Sequence, residues 1–394
     1  MSRKRFALIL SAFFIATCYT FTAIMHVYLN SSDFVGHVNL VEKMLAGERT
    51  QPHFLFPFLL IGINYFFNIP FMYAAYAVAF ISVFLSFIVA YNGIKDNNIS
   101  IKNNHLIWCT IFLLISHPVF FLYPFDNNLY FGYIATNVYH NPTILLLKPV
   151  ALFHFISLCS LLKNNKNANK TNNKVYLLAL MTALSIITKP NYIIALIPAL
   201  LLFLSIRFCF ATKIYPAWDV ILIGVLIPAC SILLWQYYYF FGVVDNNSIH
   251  FGILYFFKMT SKLWTLPLKL LASLAFPISV LIIMRSKLTI RIDFQLSFCM
   301  FLISLIYTYF LIDKVADLPA GNFGWSAQIS NFLLLFVSIR AYLAYLHEIG
   351  TSFAKSANKF IYTPIIIGGF QFFFGVIWML LSPYYALTVN LVQN

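Results

Sequence analysis

Apolar runs, most of them close to 20 residues long, recur along the whole chain, and that pattern removes most folds from consideration. A run of this length matches a hydrocarbon core of ~30 Å at a helical rise of ~1.5 Å per residue. Lipid offers the backbone no hydrogen-bond partners, so such runs fold as helices whose peptide groups satisfy one another. Residues 6–28, 71–94, 105–123, 143–162, 175–188, 192–206, 219–241, 267–284, 294–312, 329–346 and 360–383 are therefore predicted as spans. The expected fold class is an all-α polytopic transmembrane protein of about eleven spans. With 61% hydrophobic and 9% charged residues among 394, no sequence remains for a soluble domain of useful size.

The chain carries 25 Lys and Arg against 11 Asp and Glu, a net charge of +14. These cations are spread over short connectors instead of gathering in one patch, which argues against a nucleic-acid partner and reads as membrane topology. Arg3, Lys4 and Arg5 hold the start inside. Lys95 and Lys102, then the polar linker KNNKNANKTNNK at 163–174, then Arg207 and Lys213, then Arg285, Lys287 and Arg291, and finally Lys355 and Lys359 recur at alternate connectors. The uncharged run 54–94 is long enough for two spans. Crossing twice would put Lys95 and Lys102 outside, so 54–67 is predicted to lie in or re-enter the interface, interrupted by Asn68 and Pro70.

Four outer segments then have enough sequence to build a site: 30–53, 126–142, 243–266 and 313–328. The first holds Asp33, His37, Glu42, Glu48 and His53 just beyond the first span. Asp33 is placed where a general base can reach a substrate at the membrane surface. If this loop coils into a helix, His37 shares a face with Asp33 while Glu42 points elsewhere. No compact ligand spacing for a metal occurs, and the six cysteines stand at neither ligand nor redox spacing, so no metal and no cofactor is expected.

Two lysines sit where lysine is costly: Lys148 in HNPTILLLKP and Lys189 in IITKPN. Thr143 opens its span at the outer side, so Lys148 is roughly 8 Å along that helix, and Lys189 closes a short span at the same face. Both ammonium groups are expected to meet an anionic head group there. The aromatic segment with Asp126, Tyr130, Tyr139, His140 and Asn141 would cover the same spot.

Taken together, these features resemble the integral membrane glycosyltransferases of the GT-C superfamily. Those enzymes open with a span, then an outer loop beginning with an acidic residue, here Asp33 in SSDFVGH. The loop continues through a Gly-containing turn, here LAGERT, to a Pro-led interfacial helix, here QPHFLFPFLLIGINYFFN. The stretch LALMTALSIITKPNYIIALIPALLL is similar to their paired fifth and sixth spans with a Lys at the break. The resemblance covers about the first half of the chain and departs from several GT-C families in having no second carboxylate beside Asp33. It implies a module at 1–206 carrying the chemistry, followed by C-terminal helices at 207–394. It further implies hexosyl or pentosyl transfer from a polyprenyl-phosphate sugar donor to a glycan or lipid-linked acceptor. In that scheme Asp33 is the base, Lys148 and Lys189 contact the donor phosphate, and no metal is required.

His37, Glu42, His53, Asp126, His140 and Asn141 are further candidates for binding substrate. In GNFGWSAQ, Trp325 offers a stacking face for a sugar ring and Asn322 a hydrogen-bonding amide, while DNNSIH at 245–250 is polar without an aromatic platform. A polysaccharide polymerase would share this layout but commonly uses outer-loop arginines, of which Arg49 is the only clear one here, and that disfavours it. A lipid-linked sugar transporter or flippase should show internal repeats or midplane charges. Usage of Asn, Lys, Ile and Phe and the absence of a disulfide pattern lean towards a bacterial inner membrane.

Overall fold

The computed structural model describes residues 3–29, 32–48, 52–95, 101–163, 172–209, 218–241, 248–315, 318–350 and 359–393. Helix α1 (Arg3–Tyr28) leads to α2 (Asp33–Leu45), α3 (Leu55–Phe67), α4 (Phe71–Ile94), α5 (Asn103–Ile115), the short α6 (Tyr123–Asp126), α7 (Pro142–Lys163), α8 (Asn172–Thr188) and α9 (Asn191–Cys209). α10 (Trp218–Ile221) passes through a π turn into α11 (Ile227–Gln236), and a further π turn ends at Phe241. Then come α12 (Tyr255–Thr260), α13 (Leu266–Ser273), α14 (Ala275–Leu288), α15 (Ile292–Phe310), α16 (Gly324–Gly350) and α17 (Thr363–Gln393).

Among the described residues, eight helices are long and apolar enough to cross a membrane, or nine with α13 and α14 taken as one span bent by 57°. The chain is a helical polytopic membrane protein. Its helices are inside out compared with those of a water-soluble bundle. α1 turns Phe6, Leu10, Phe13, Phe14 and Phe21 outward and buries Ala12, Ile15, Ala16, Tyr19 and Ala23. Small residues let helix backbones approach where lipid gives no hydrophobic drive to associate.

The polar contacts sort the helix ends into two sets. At one end Lys163, Arg291 and Arg340 surround the Asp293 carboxylate at 3.5, 2.8 and 3.6 Å, and Arg207 donates to Gln295 at 2.8 Å. Lys287 pairs with Glu348 at this end too. The opposite end holds α2, α3 and the 116–141 segment. There His26 meets Ser382 at 3.0 Å, and Gln236 donates to the Pro52 carbonyl at 2.9 Å. Among the described residues, Lys163, Arg207, Lys287 and Arg291, predicted for one side, share one end; 164–171, Lys213 and Lys355 lie outside the described residues.

Helix α3 is a separate 13-residue element, as expected for 54–67. Asn68 ends it in the left-handed conformation at φ 52°, and Pro70 opens α4. Three boundaries differ from the sequence reading. The helix expected over 105–123 stops at Ile115 because Ser116 is extended and Pro118 restricts His117. The freed chain is then tied down by bonds from the His117 amide to the Gln371 carbonyl (3.0 Å) and from Asn137 to the Ile115 carbonyl (2.8 Å). Gly375 permits this approach, since a Cβ there would lie 2.1 Å from the Ile115 oxygen. Helix α8, expected over 175–188, ends at Thr188 as expected but begins earlier, at Asn172. The helix expected over 294–312 ends at Phe310 and passes into a small antiparallel sheet absent from the all-α expectation. Its strands are β1 (Ser248–Phe251), β2 (Leu311–Val315) and β3 (Leu318–Ala320), in the order β1-β2-β3, with Ile249 opposite Asp313 and Lys314 opposite Pro319. Of the candidate stretch 245–250, residues 245–247 lie outside the described residues.

Candidate active site

Asp33 opens α2, with Ser32 as its N-cap: the Ser32 hydroxyl accepts from the Phe34 amide at 3.2 Å, which satisfies one of the first-turn donors. The His140 carbonyl fixes this helix start to the segment before α7. It accepts from the Asp33 amide at 3.1 Å and from the Ser32 hydroxyl at 3.2 Å. The Asp33 side chain itself is exposed.

Asn141 stands just before α7 with Pro142 at the first helical position, an arrangement that suits a helix N-terminus because proline lacks the N–H that would go unpaired there. Its carbonyl oxygen accepts from the Thr143 hydroxyl at 2.8 Å and from the Ile144 amide at 3.0 Å. That fixes which way the side chain faces, and its Nδ2 donates to Asp33 Oδ2 at 2.7 Å. Lys189 then donates to the Thr143 hydroxyl at 3.1 Å. Four side chains from α2, α7 and the α8–α9 break thus form one relay from carboxylate to ammonium.

The break that holds Lys189 follows from Pro190, which disfavours helical backbone in the residue before it. Asn191 anchors this corner to the start of α16. Its Nδ2 donates to the Asn322 carbonyl (2.9 Å) and the Ser326 hydroxyl (3.2 Å), and Ser326 donates back to the Asn191 carbonyl. Trp325 is thereby held with its ring centre 4.9 Å from the Lys189 nitrogen, a cation–π contact, and 5.8 Å from the His140 ring.

Three histidines surround these charges. His37 is buried on α2, and its ring lies 6.0 Å from His53 and 5.9 Å from Phe56. Burial, reinforced by the Lys189 ammonium and opposed by Asp33, pushes His37 down to about 4. His53 is pushed well below the usual imidazole value by burial, then by Lys189 and His37. Burial lowers His140 as well, with Asp33 opposing and Lys189 adding to it. Lys189 is itself pushed down to about 8 by burial, with Asp33 opposing. At neutral pH the three rings are uncharged neighbours of Asp33 and of the Lys189 ammonium. Among the described residues no three His, Cys, Asp or Glu side chains could hold a metal ion together.

Of the residues expected from sequence, Asp33, His37, His53, His140, Asn141, Lys189 and Trp325 come together here, and Asn322 contributes its carbonyl at the edge. Glu42 is exposed half a turn around α2 from Asp33. Lys148 stands apart: its nitrogen faces the rings of Tyr19 and Phe332, at 5.9 and 5.4 Å, within the bundle. Asp126 is engaged elsewhere, paired with buried Lys269 and accepting from Thr265 at 3.1 Å. Thr143 and Asn191 were not singled out in the sequence. The signal for both was local: N-P-T and K-P-N each put an asparagine beside a proline at a helix start. No protein-family model matches this chain, and neither does any curated protein.

Proposed function

We propose that this protein is a membrane glycosyltransferase of the GT-C type, moving a sugar from a polyprenyl-phosphate carrier to a lipid-linked glycan or other envelope acceptor. The observation that carries this reading is the relay Asp33–Asn141–Thr143–Lys189. It puts one exposed carboxylate and one ammonium in a single site at one end of a transmembrane bundle.

The acceptor hydroxyl attacks the anomeric carbon while the bond from that carbon to the phosphate oxygen breaks. Asp33 accepts the hydroxyl proton, and the polyprenyl phosphate leaves with the bonding electron pair, its charge met by Lys189. Asn141 holds the carboxylate in place by a bond that does not itself change during the reaction. In this reading α5 and α8 count as spans beside the nine longer segments, giving eleven, and α3 lies in the interface. The site is on the outer face of a bacterial inner membrane, opposite the end rich in Lys and Arg.

Transfer of labelled sugar from polyprenyl-phosphate donors, measured in membranes at equal protein abundance, tests this. Asp33→Asn should lower the rate by about 10²–10⁴-fold, the range for loss of a general base. Full activity in that variant would remove the reading.

A further inference from the structure

Beneath the 126–142 segment lies a set of buried polar atoms for which the chemistry of Asp33 and Lys189 has no use. Three amides there are turned the same way. Asn137 donates through Nδ2 to the Ile115 carbonyl (2.8 Å) and the Tyr139 hydroxyl (3.1 Å), Asn331 to the Ile134 carbonyl (2.8 Å), and Gln328 to the Tyr130 hydroxyl (2.9 Å). Every amide nitrogen is engaged by the protein, backbone carbonyls fix the orientation of Asn137 and Asn331, and three buried carbonyl oxygens are left without a protein partner. His117 repeats the pattern. Its Nδ1 lies 2.8 Å from the Pro118 carbonyl and so carries the hydrogen, leaving the buried Nε2 as an unmet acceptor. Ser116 Oγ and the nitrogen of Lys148, a residue only 3% exposed, are also buried and unpartnered.

These groups belong to one region. Thr136 donates to the Ser116 carbonyl at 3.1 Å. The two rings flanking the Lys148 nitrogen are Phe332, next in sequence to Asn331, and Tyr19, which packs on Tyr139 at 4.6 Å. Buried acceptors left unmet are costly, and natural folds seldom gather several of them.

We propose that this region binds the sugar ring of the donor, an inference that rests on the glycosyl-transfer reading. The chemical class follows from the balance of groups. Four acceptors against one nitrogen donor and two hydroxyls, those of Ser116 and Tyr133, suit a ring offering several hydroxyl donors, whereas a carboxylate-bearing sugar would set acceptor against acceptor. The ligand is a neutral, hydroxyl-rich sugar. The ring of Tyr130, whose hydroxyl Gln328 engages, lies 5.7 Å from that of His140, which in turn lies 5.8 Å from the Trp325 ring under Lys189; this sets the sugar beside the Asp33–Lys189 relay. Lys148 is thus a sugar contact, separate from the phosphate contact at Lys189.

The test uses the full chain in lipid nanodiscs and measures binding of farnesyl phosphate, of its glucosyl, galactosyl, mannosyl, arabinosyl and N-acetylglucosaminyl esters, and of the glucuronosyl ester. Wild type should bind at least one neutral ester about tenfold or more tightly than bare farnesyl phosphate, and gain nothing from glucuronosyl. Lys148→Met and Ser116→Ala remove atoms that have no hydrogen-bond partner in the protein, so both variants should fold. Lys148→Met and Asn331→Leu should each lose about tenfold of the sugar gain while holding bare farnesyl phosphate as before. A sugar gain that survives in the folded Lys148→Met and Asn331→Leu variants overturns the inference and leaves ordered water as the partner of these atoms. Wild type that binds farnesyl phosphate without gain from any neutral sugar overturns it too, with the phosphate contact intact. No binding of farnesyl phosphate at all overturns the donor reading and this inference together.

Discussion

The amide of Asn141 donates to the Asp33 carboxylate at 2.7 Å while its own carbonyl is held by the Thr143 hydroxyl that receives Lys189. The carboxylate that would take a proton and the ammonium that would meet a phosphate are therefore positioned by one side chain. Neither charge neutralises the other by direct contact, so both stay available to substrate.

Asn141→Asp keeps the size of this side chain but sets a carboxylate against Asp33 and removes the donated bond. Misplacing a catalytic group by about 1 Å costs on the order of 100-fold. The variant should show a kcat loss of that size, with binding of a bare polyprenyl phosphate nearly unchanged because Lys189 is untouched. Equal losses in both measurements would mean that Asn141 serves only to cap α7.

Lys189 has its proton affinity lowered to about 8 by burial. Under the proposed function, transfer should therefore decline above about pH 8, as the ammonium proposed to meet the phosphate is lost. The unfolded chain keeps that proton up to the ordinary value of 10.5. Between about 8 and 10.5 the unfolded state binds more protons, so this group's contribution makes stability rise with pH while activity falls. Lys189→Arg should move the alkaline decline to higher pH, since guanidinium stays charged. A pH–rate profile identical in wild type and Lys189→Arg would assign the decline to another group.

His37 is pushed down to about 4, so it is neutral in the fold over a range where an unfolded imidazole, at 6.5, takes up a proton. Stability should then be lost as pH falls from about 6.5 towards 4. Thermal unfolding at pH 7 and at pH 5 reads this: His37→Asn should show a smaller drop between the two pH values than wild type. His53 is lowered for the same reason and should add to the effect. An identical drop in the variant would exclude His37 as its source.

The helical class and most of this cluster were legible in sequence, and the reasons differ residue by residue. Asp33 and Lys189 stand out because charge is rare in this chain, and both sit at span ends, where a few residues of boundary error do not move them far. His37 was placeable on the Asp33 face from its four-residue spacing alone. The direction in which Lys148 turns was not legible, because depth along a helix says nothing about it, and α7 turns it to Tyr19 and Phe332. The three-stranded sheet could not be read, since β1 and β2 lie about sixty residues apart and each is too short to carry a periodic signal.

Asp126 was a candidate for binding substrate, and the structure gives it a different employment. Its carboxylate is paired with Lys269, both side chains being fully buried, and also accepts from the Thr265 hydroxyl and the Asn128 amide. Lys269 in turn donates to the Phe131 carbonyl at 2.8 Å. Gly132, at φ 90°, lets the chain turn there, where a Cβ would lie 2.9 Å from the Lys269 side chain. The pair thus fastens the segment over the candidate site to α13. Removing one partner leaves a buried charge unmet, at a cost of about 3–5 kcal/mol, whereas replacing both with apolar groups of similar volume is often near neutral. Lys269→Met alone should lower thermal stability strongly, and Asp126→Leu combined with Lys269→Met should recover most of the loss together with transfer activity. A double variant that regains stability yet stays inactive would return Asp126 to the list of groups that touch substrate.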